Sequence, residues 1–317
     1  MRSNPYISFL QHYFKFSQED IVMQDFRMET FLAVCKYMNF TKAANALSLT
    51  QPAVSQHIHY LENAYGVPLF EQSGKKIFLT EAGEILCRAA LTMKHDEEHM
   101  KQRMLNTRIK TQNYSFGATL TVAEFMLLDD LKSFILSHPD SRIRMQVENT
   151  RELLRRLDSS EIDFAIVEGD FPRDEYDFLP YKTEDYVAVA APQKAALYKN
   201  GCVKDLLAET LLLRESGSGT REIMEQWLLQ QGLNTDSFSG QIELGNIRAI
   251  NALLKSGAGI SFCYHAAIRT EEEKGELSVI PLRDLKLSHE IMFIFRKGSI
   301  FKDDYIEIYE QLCRKTE

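Results

Sequence analysis

From residue 24 onward the apolar residues Phe26, Met28, Phe31, Leu32, Val34 and Cys35 recur at spacings of three and four, which predicts an amphipathic helix ending near residue 39. Thr41 stands where an N-cap would, before a short Ala-rich helix over 41–47 whose small side chains let another helix cross it closely. After the turn Ser48-Leu49-Thr50 a third helix is expected, with Thr50 as its cap and Pro52 in the first turn, where a missing N–H costs nothing. It runs to about Tyr65 with Val54, Ile58 and Leu61 turned inward, and Gly66 is a fitting stop. Residues 67–80 alternate loosely around a Ser73-Gly74 turn and read as a small hairpin, or wing. Thr80 then caps a long helix from residue 81 to about 110. Its seam, Ala82, Leu86, Ala89, Met93, Met100 and Met104, is interrupted by Asp96. Such a length exceeds a lone globular helix and predicts pairing with a second chain.

From Tyr114 the pattern changes to short apolar runs alternating with helical ones, the mark of a parallel α/β sheet. Strands are expected at 115–119, 142–149, 163–169, 185–192, 211–214, 241–245, 259–265 and 289–297. Helices are expected at 124–138, 150–159, 220–232, 246–256 and 302–315. Residues 1–22 show no periodicity and read as a disordered N-terminal extension.

The 317 residues, 44% hydrophobic and 26% charged, are too many for one ordinary core and too well mixed for disorder, so two or three domains are expected. No run of about 18 apolar residues is present and the first residues lack a signal-peptide pattern, so no membrane partner and a cytoplasmic location are expected. The five cysteines are scattered, without CxxC or His-Cys spacing; they read as reduced buried thiols, with neither metal nor cofactor implied. The net charge of −8, from 37 Lys+Arg against 45 Asp+Glu, argues at first sight against nucleic acid.

Residues 39–61 carry the strongest local signal. Two helices joined by a tight turn, the second opening on small hydrogen-bonding residues, meet the geometry of a helix-turn-helix. Gln51, Ser55, Gln56 and His59 share one face opposite Val54, Ile58 and Leu61. Gln can pair bidentately with adenine and Ser suits most bases. The plain alternative is the solvated face of an ordinary helical hairpin.

Thr41-Lys42-Ala43-Ala44, Leu47, Gln51-Pro52-Ala53-Val54-Ser55, Leu61-Glu62, Gly66, Leu69-Phe70 and Leu79-Thr80-Glu81-Ala82-Gly83 resemble the N-terminal head of the LysR-type transcriptional regulators. The resemblance implies an α+β multidomain chain: an N-terminal winged helix-turn-helix at 23–80, a long linker and dimerisation helix at 81–112, and a C-terminal two-subdomain α/β effector domain with a periplasmic-binding-protein-like fold. In that scheme 113–188 with 289–317 form subdomain I and 189–288 subdomain II. It further implies that Thr41, Gln51, Pro52, Ser55 and Gln56 contact double-stranded operator or promoter DNA, that the wing touches the backbone, and that the protein is a homodimer or homotetramer, with RNA polymerase as a further candidate partner. Where the family usually has Arg after Phe-Glu, this chain has Gln72, which leaves Lys75 and Lys76 to carry the wing's charge. Lys75→Ala is therefore expected to weaken binding to all DNA alike and to reduce its salt dependence; a gel-shift loss confined to one operator sequence would contradict this.

Two segments of the C-terminal region have chemistry of their own. Thr119 and Thr121 lie where a strand passes into a helix, and Ser216, Ser218 and Thr220 lie in a Gly-Ser loop flanked by Arg214 and Arg221. Free N–H groups and hydroxyls there suit a small effector, expected to be an anion. The alternative for the second segment is a flexible loop capped at Thr220. Glu168 and Asn246 are placed to complete the cleft, though Glu168 reads equally as a solvated strand end and Asn246 as a helix cap. An α/β enzyme or a solute-binding protein are the competing functions. GxSxG, HExxH, CxxC and a dinucleotide GxGxxG are all absent, which disfavours the first.

The charge divides unevenly. Residues 23–88 hold six basic and six acidic side chains, 89–112 five and three, and 113–317 24 and 34. The acidic excess lies outside the DNA-binding head, whose own neutrality makes affinity depend on the placement of Lys42, Lys75 and Lys76 and on base readout.

Overall fold

The computed structural model describes residues 25–74, 76–106 and 112–313, in two units, 1–97 and 98–317. The expected N-terminal extension and Lys75 lie outside the described residues, as does the expected end of the long helix near 110.

The first unit contains α1 (Phe26–Tyr37), α2 (Phe40–Ala46), α3 (Gln51–Tyr65) and the antiparallel hairpin β1 (Phe70–Ser73) with β2 (Lys76–Leu79). Phe31, Val34, Ala43, Ala44, Val54, Ile58, Leu61 and Leu69 form its core. The cap of α2 is Asn39, not Thr41. Asn39 is extended and its side chain accepts from Lys42 N, while Thr41 sits exposed inside the first turn. Thr50 caps α3 by accepting from Ala53 N, and Gly66 ends it at φ 72°. Glu62 ties α3 to the hairpin, its Oε1 accepting from Leu69 N at 2.9 Å.

Helix α4 (Glu81–Asn106) starts under Thr80, whose hydroxyl accepts from Gly83 N and donates to Pro68 O. Ala82, Leu86 and Cys87 pack on the head's own core, so the first turns of the expected inter-chain seam are used within the unit. Among the described side chains of this helix, the large apolar ones that are exposed are Ile85, Met93 and Met104. Cys35 and Cys87 share a hydrogen bond that, with burial, pushes the Cys35 thiol up. Among the five cysteines only Cys263 is fully buried, and Cys313 is exposed.

The last turns of α4 belong to the second unit. His99 Nδ1 lies 2.9 Å from Asp163 Oδ1, the His99 ring packs on Phe301, and Arg103 pairs with Asp304.

The second unit is built on a nine-stranded sheet. Its elements are β3 (Asn113–Ala118), α5 (Leu120–Phe125), α6 (Leu128–Ser137), β4 (Arg142–Val147), α7 (Thr150–Asp158), β5 (Phe164–Val167), β6 (Tyr176–Ala190), α8 (Pro192–Leu197), β7 (Thr210–Arg214), α9 (Gly219–Gln230), β8 (Gly240–Leu244), α10 (Ile247–Lys255), β9 (Ile260–Tyr264), α11 (Arg269–Glu273), β10 (Ser278–Ile280), β11 (Leu287–Arg296) and α12 (Lys302–Cys313). The strand order is β4-β3-β5-β11-β6-β9-β7-β8, with β10 also on β6. Strands β6 and β11 are long and antiparallel, and each serves both halves: β11 pairs β5 on one side, and the end of β6 pairs β9 and β10 on the other. Two α/β lobes thus share two crossing strands.

The first half of β6 escapes a periodicity reading because it holds Pro180, which cannot donate to a ladder. The chain places it at a bulge, where Met292 faces Pro180, Ile291 faces Lys182 and Tyr181 is left over. The hydroxyl of Tyr181 bonds Asp130, and Lys182 Nζ lies 2.7 Å from the same carboxylate. Stacked rings of Phe116, Phe164 and Phe293 join β3, β5 and β11 through one face of the sheet. Arg296 is wholly buried at the end of β11, with Nη1 2.8 Å from Asp158 Oδ1 and 3.6 Å from Glu175 Oε2.

Candidate functional site

In the first unit, burial of Val54, Ile58 and Leu61 fixes which face of α3 looks outward. Gln51, Pro52, Gln56 and His59 are exposed on it and Ser55 is half-buried. Gln51 Nε2 donates to Ser55 Oγ at 2.9 Å, which orients the amide one helical turn from the cap. His59 is open to solvent, 3.2 Å from Glu62 Oε2. His57 is not part of this face: Thr30 Oγ1 lies 2.9 Å from its Nδ1 and the Phe26 ring packs edge-on against it. Thr41, Lys42 and Lys76 are exposed on α2 and β2.

In the second unit the lobes meet at the C-terminal ends of β5 and β7, where open α/β sheets offer ligand sites. Glu168 follows β5. Its carbonyl accepts from Thr150 Oγ1 at 2.5 Å, and its side chain crosses to the other lobe, where Thr220 Oγ1 donates to Oε1 at 2.7 Å. Thr121 Oγ1 lies 3.2 Å from Thr220 Oγ1; since the Thr220 proton goes to Glu168, Thr121 is the donor. Tyr186 Oη, 2.7 Å from Thr220 O and 3.1 Å from Phe262 O, shares one hydroxyl between two carbonyls. Gln226 on α9 donates to Asp170 at 2.8 Å, and Arg248 on α10 pairs with Glu124 at 3.1 Å, so the lobes are tied beyond the centre as well.

The backbones also touch. A Cβ on Gly219 would lie 2.6 Å from Glu168 O, and one on Gly169, which has φ 86°, would lie 2.9 Å from Gly219 Cα.

Four buried polar atoms here have no partner: Thr119 Oγ1, Glu168 Oε2, Arg214 Nη1 and Ser218 Oγ. Their residues are 2%, 2%, 6% and 2% exposed, so water does not make up the loss freely. Burial pushes the Glu168 carboxyl up to about 7, against the pull of the Thr220 hydroxyl, the Arg214 charge and the Thr121 hydroxyl. The remaining arms of Arg214, Nε and Nη2, hold Glu215 at 2.7 and 2.8 Å.

The structure therefore brings Thr119, Thr121, Glu168, Ser218 and Thr220 together. Ser216 is exposed, and Asn246 uses its side chain to cap α10 by accepting from Arg248 N and Ala249 N. The N–H of Thr119 is used in a bond to Ile166 O, and α5 is only six residues long, so that segment offers hydroxyls rather than a helix terminus. Sequence reasoning misses Tyr186, whose one signal is a lone hydroxyl in an otherwise apolar run, 186–191. Among the described residues no group of three or more His, Cys, Asp or Glu could hold a metal ion, and no helix is long and apolar enough to cross a membrane.

Residues 26–84 match the family model of the bacterial regulatory helix-turn-helix proteins of the lysR family, and residues 111–300 match the LysR substrate binding domain. The chain belongs to the LysR family. It is a LysR-type transcriptional regulator with an effector-binding domain, which sets aside the enzyme reading. A LysR-family relative, the HTH-type transcriptional activator CmpR of Synechocystis, is 30% identical over 86% of this chain and 89% of its own. The full-length LysG of Corynebacterium glutamicum, solved with bound effector Arg, shares the fold at a TM-score of 0.60 and 16% identity, covering 92% of this chain and 98% of that one. The Synechocystis CcmR regulatory domain, solved in complex with 2-PG, has a TM-score of 0.56 at 21% identity, covering 65% of this chain and 99% of that domain.

Proposed function

We propose that this LysR-type regulator reads a double-stranded operator with the outward face of α3, and that a small anion entering the cleft between the two lobes alters its hold on DNA. Gln51, Ser55, Gln56 and His59 are the base-reading candidates; Thr41, Lys42, Pro52, Lys75 and Lys76 hold the backbone. Short hydrogen-bonding side chains at the start of a helix whose other face is buried suit entry into the major groove. The exposed Ile85, Met93 and Met104 of α4 suit pairing with a second copy, as a dimer or within a tetramer.

The observation that carries the cleft reading is the set of buried polar atoms without partners at the facing strand ends. Three of them, Thr119 Oγ1, Ser218 Oγ and Arg214 Nη1, can donate to an anion, and the CcmR domain with 2-PG is a relative of the same fold with a small ligand. A ligand that prefers the closed arrangement would shift the balance between closed and open lobes.

A gel-shift titration against the chain's own upstream region tests the DNA reading: specific retention at moderate salt is expected. For the cleft, thermal-shift titration with sulfate, phosphate and small carboxylates is expected to show stabilisation. The double substitution Thr119→Ala with Ser218→Ala should weaken it by about tenfold or more, since a hydrogen bond to a charged group contributes about 1.5–3 kcal/mol. Anion affinities unchanged in that double variant would remove the cleft reading.

A further inference from the structure

A bare anion satisfies only some of the cleft's polar atoms. Arg214 Nη1 donates only, and the hydroxyls of Thr119 and Ser218 can each donate. Glu168 Oε2, also buried and without a partner, is an acceptor when the carboxyl is ionised. A ligand made solely of acceptor oxygens would answer the donors but meet Oε2 only if Glu168 takes up a proton. With the carboxyl pushed up to about 7, that proton is costly above this pH, where an ionised Glu168 leaves Oε2 unmet and sets two negative charges side by side in a buried site. Glu168 cannot turn away easily, because Thr150 holds its carbonyl and Thr220 its other carboxylate oxygen.

We infer that the cleft selects a small acid that carries its own hydrogen-bond donor, a hydroxyl or ammonium group, beside its carboxylate. The acid group meets Ser218, Thr119 and Arg214, and the adjacent donor meets Glu168 Oε2. This inference rests on reading the cleft as the effector site and names the ligand class for it. Ser218 and Thr220, the latter bound to Glu168, are two residues apart at the start of α9, so the ligand's acid and donor must be close neighbours. The backbone approach of Gly169 to Gly219 leaves no room for bulk at that point, which favours a small molecule.

The test pairs acids that differ only in the donor: glycolate against acetate, and L-lactate and L-alanine against propionate, titrated calorimetrically into the full-length protein at a pH about one unit above 7, where Glu168 is ionised. The donor-bearing member of each pair is expected to bind about tenfold tighter or more, because a site built to hydrogen-bond a group rejects the analogue lacking it. Glu168→Gln keeps the shape and removes the charge. It should bind acetate and propionate more tightly and L-alanine more weakly, so that the preference for L-alanine over propionate falls to about threefold or less. Thr220→Val, which frees the Glu168 carboxylate without removing it, should retain the order of preference. Acetate binding wild type as well as glycolate does, or a preference unchanged in Glu168→Gln, overturns the inference and leaves the effector site standing. Should no acid of either kind bind, the effector-site reading falls and takes the inference with it.

Discussion

Gly83→Ala is expected to destabilise the DNA-binding head by about 1–2 kcal/mol, although in a free helix the same change would stabilise it. Helix propensity favours Ala over Gly by about 1 kcal/mol. Against this, a Cβ at Gly83 would stand 2.1 Å from Leu69 O and 2.9 Å from Leu79 Cδ2. Leu69 has little freedom to retreat: its side chain is buried, its N–H donates to Glu62 Oε1, and its carbonyl accepts from Thr80 N at 3.1 Å. Forcing atoms into so tight a contact costs about 1–3 kcal/mol and occasionally more, so the clash outweighs the propensity gain. The start of α4 and the base of the hairpin must separate, which disturbs the wing. In a domain this small the loss corresponds to a fall of about 10 °C in melting temperature. Calorimetry or circular dichroism of the variant checks it; a melting temperature equal to or above wild type would show that Leu69 yields without cost.

Gly219→Ala is expected to prise open the cleft. The added methyl would meet Glu168 O at 2.6 Å and Glu168 Cγ at 2.8 Å. The carbonyl is pinned by Thr150, so relief comes more readily from moving one lobe against the other about the crossing strands β6 and β11. That motion lengthens the Thr220–Glu168, Thr121–Thr220 and Gln226–Asp170 bonds together. A cost of about 1–3 kcal/mol to the closed arrangement follows, or between about five- and 150-fold in its population relative to the open one. Hydrogen–deuterium exchange over residues 167–170 and 216–222 should accelerate accordingly, while exchange in β3 and β4 stays as in wild type. Any effect of ligand on DNA retention should shrink with it, since ligand binding must first offset the cost of closure. Unchanged exchange in both segments would mean that closure does not depend on this contact.

The head was legible because its signals are local. The three-four spacing of Phe31, Val34, Val54, Ile58 and Leu61 is a property of neighbouring turns, and so are the cap at Thr50 and the stop at Gly66. The misplacement of the α2 cap has an equally local cause. Asn39 and Thr41 are both competent caps, and the chain used the one whose extended backbone put its side chain under Lys42 N. The strands of the second unit were legible where they are apolar and continuous, as at 164–167 and 260–264, and illegible where β6 passes through a bulge at Pro180.

The sequence by itself determined the family, the exposed face of α3 and the apolar strands at 164–167 and 260–264, because each is written within a span of a few turns or one strand. Only the tertiary structure decided which candidate residues touch. Glu168 and Thr220 are 52 positions apart, and their bond exists because the crossing strands bring two lobes edge to edge. The same packing leaves Oε2 of Glu168 buried and without a partner, while Asn246, as promising in the sequence, is taken up by its own helix. Hydrogen-bond partners are assigned by proximity in space, and proximity between distant segments is a consequence of packing that no local pattern encodes.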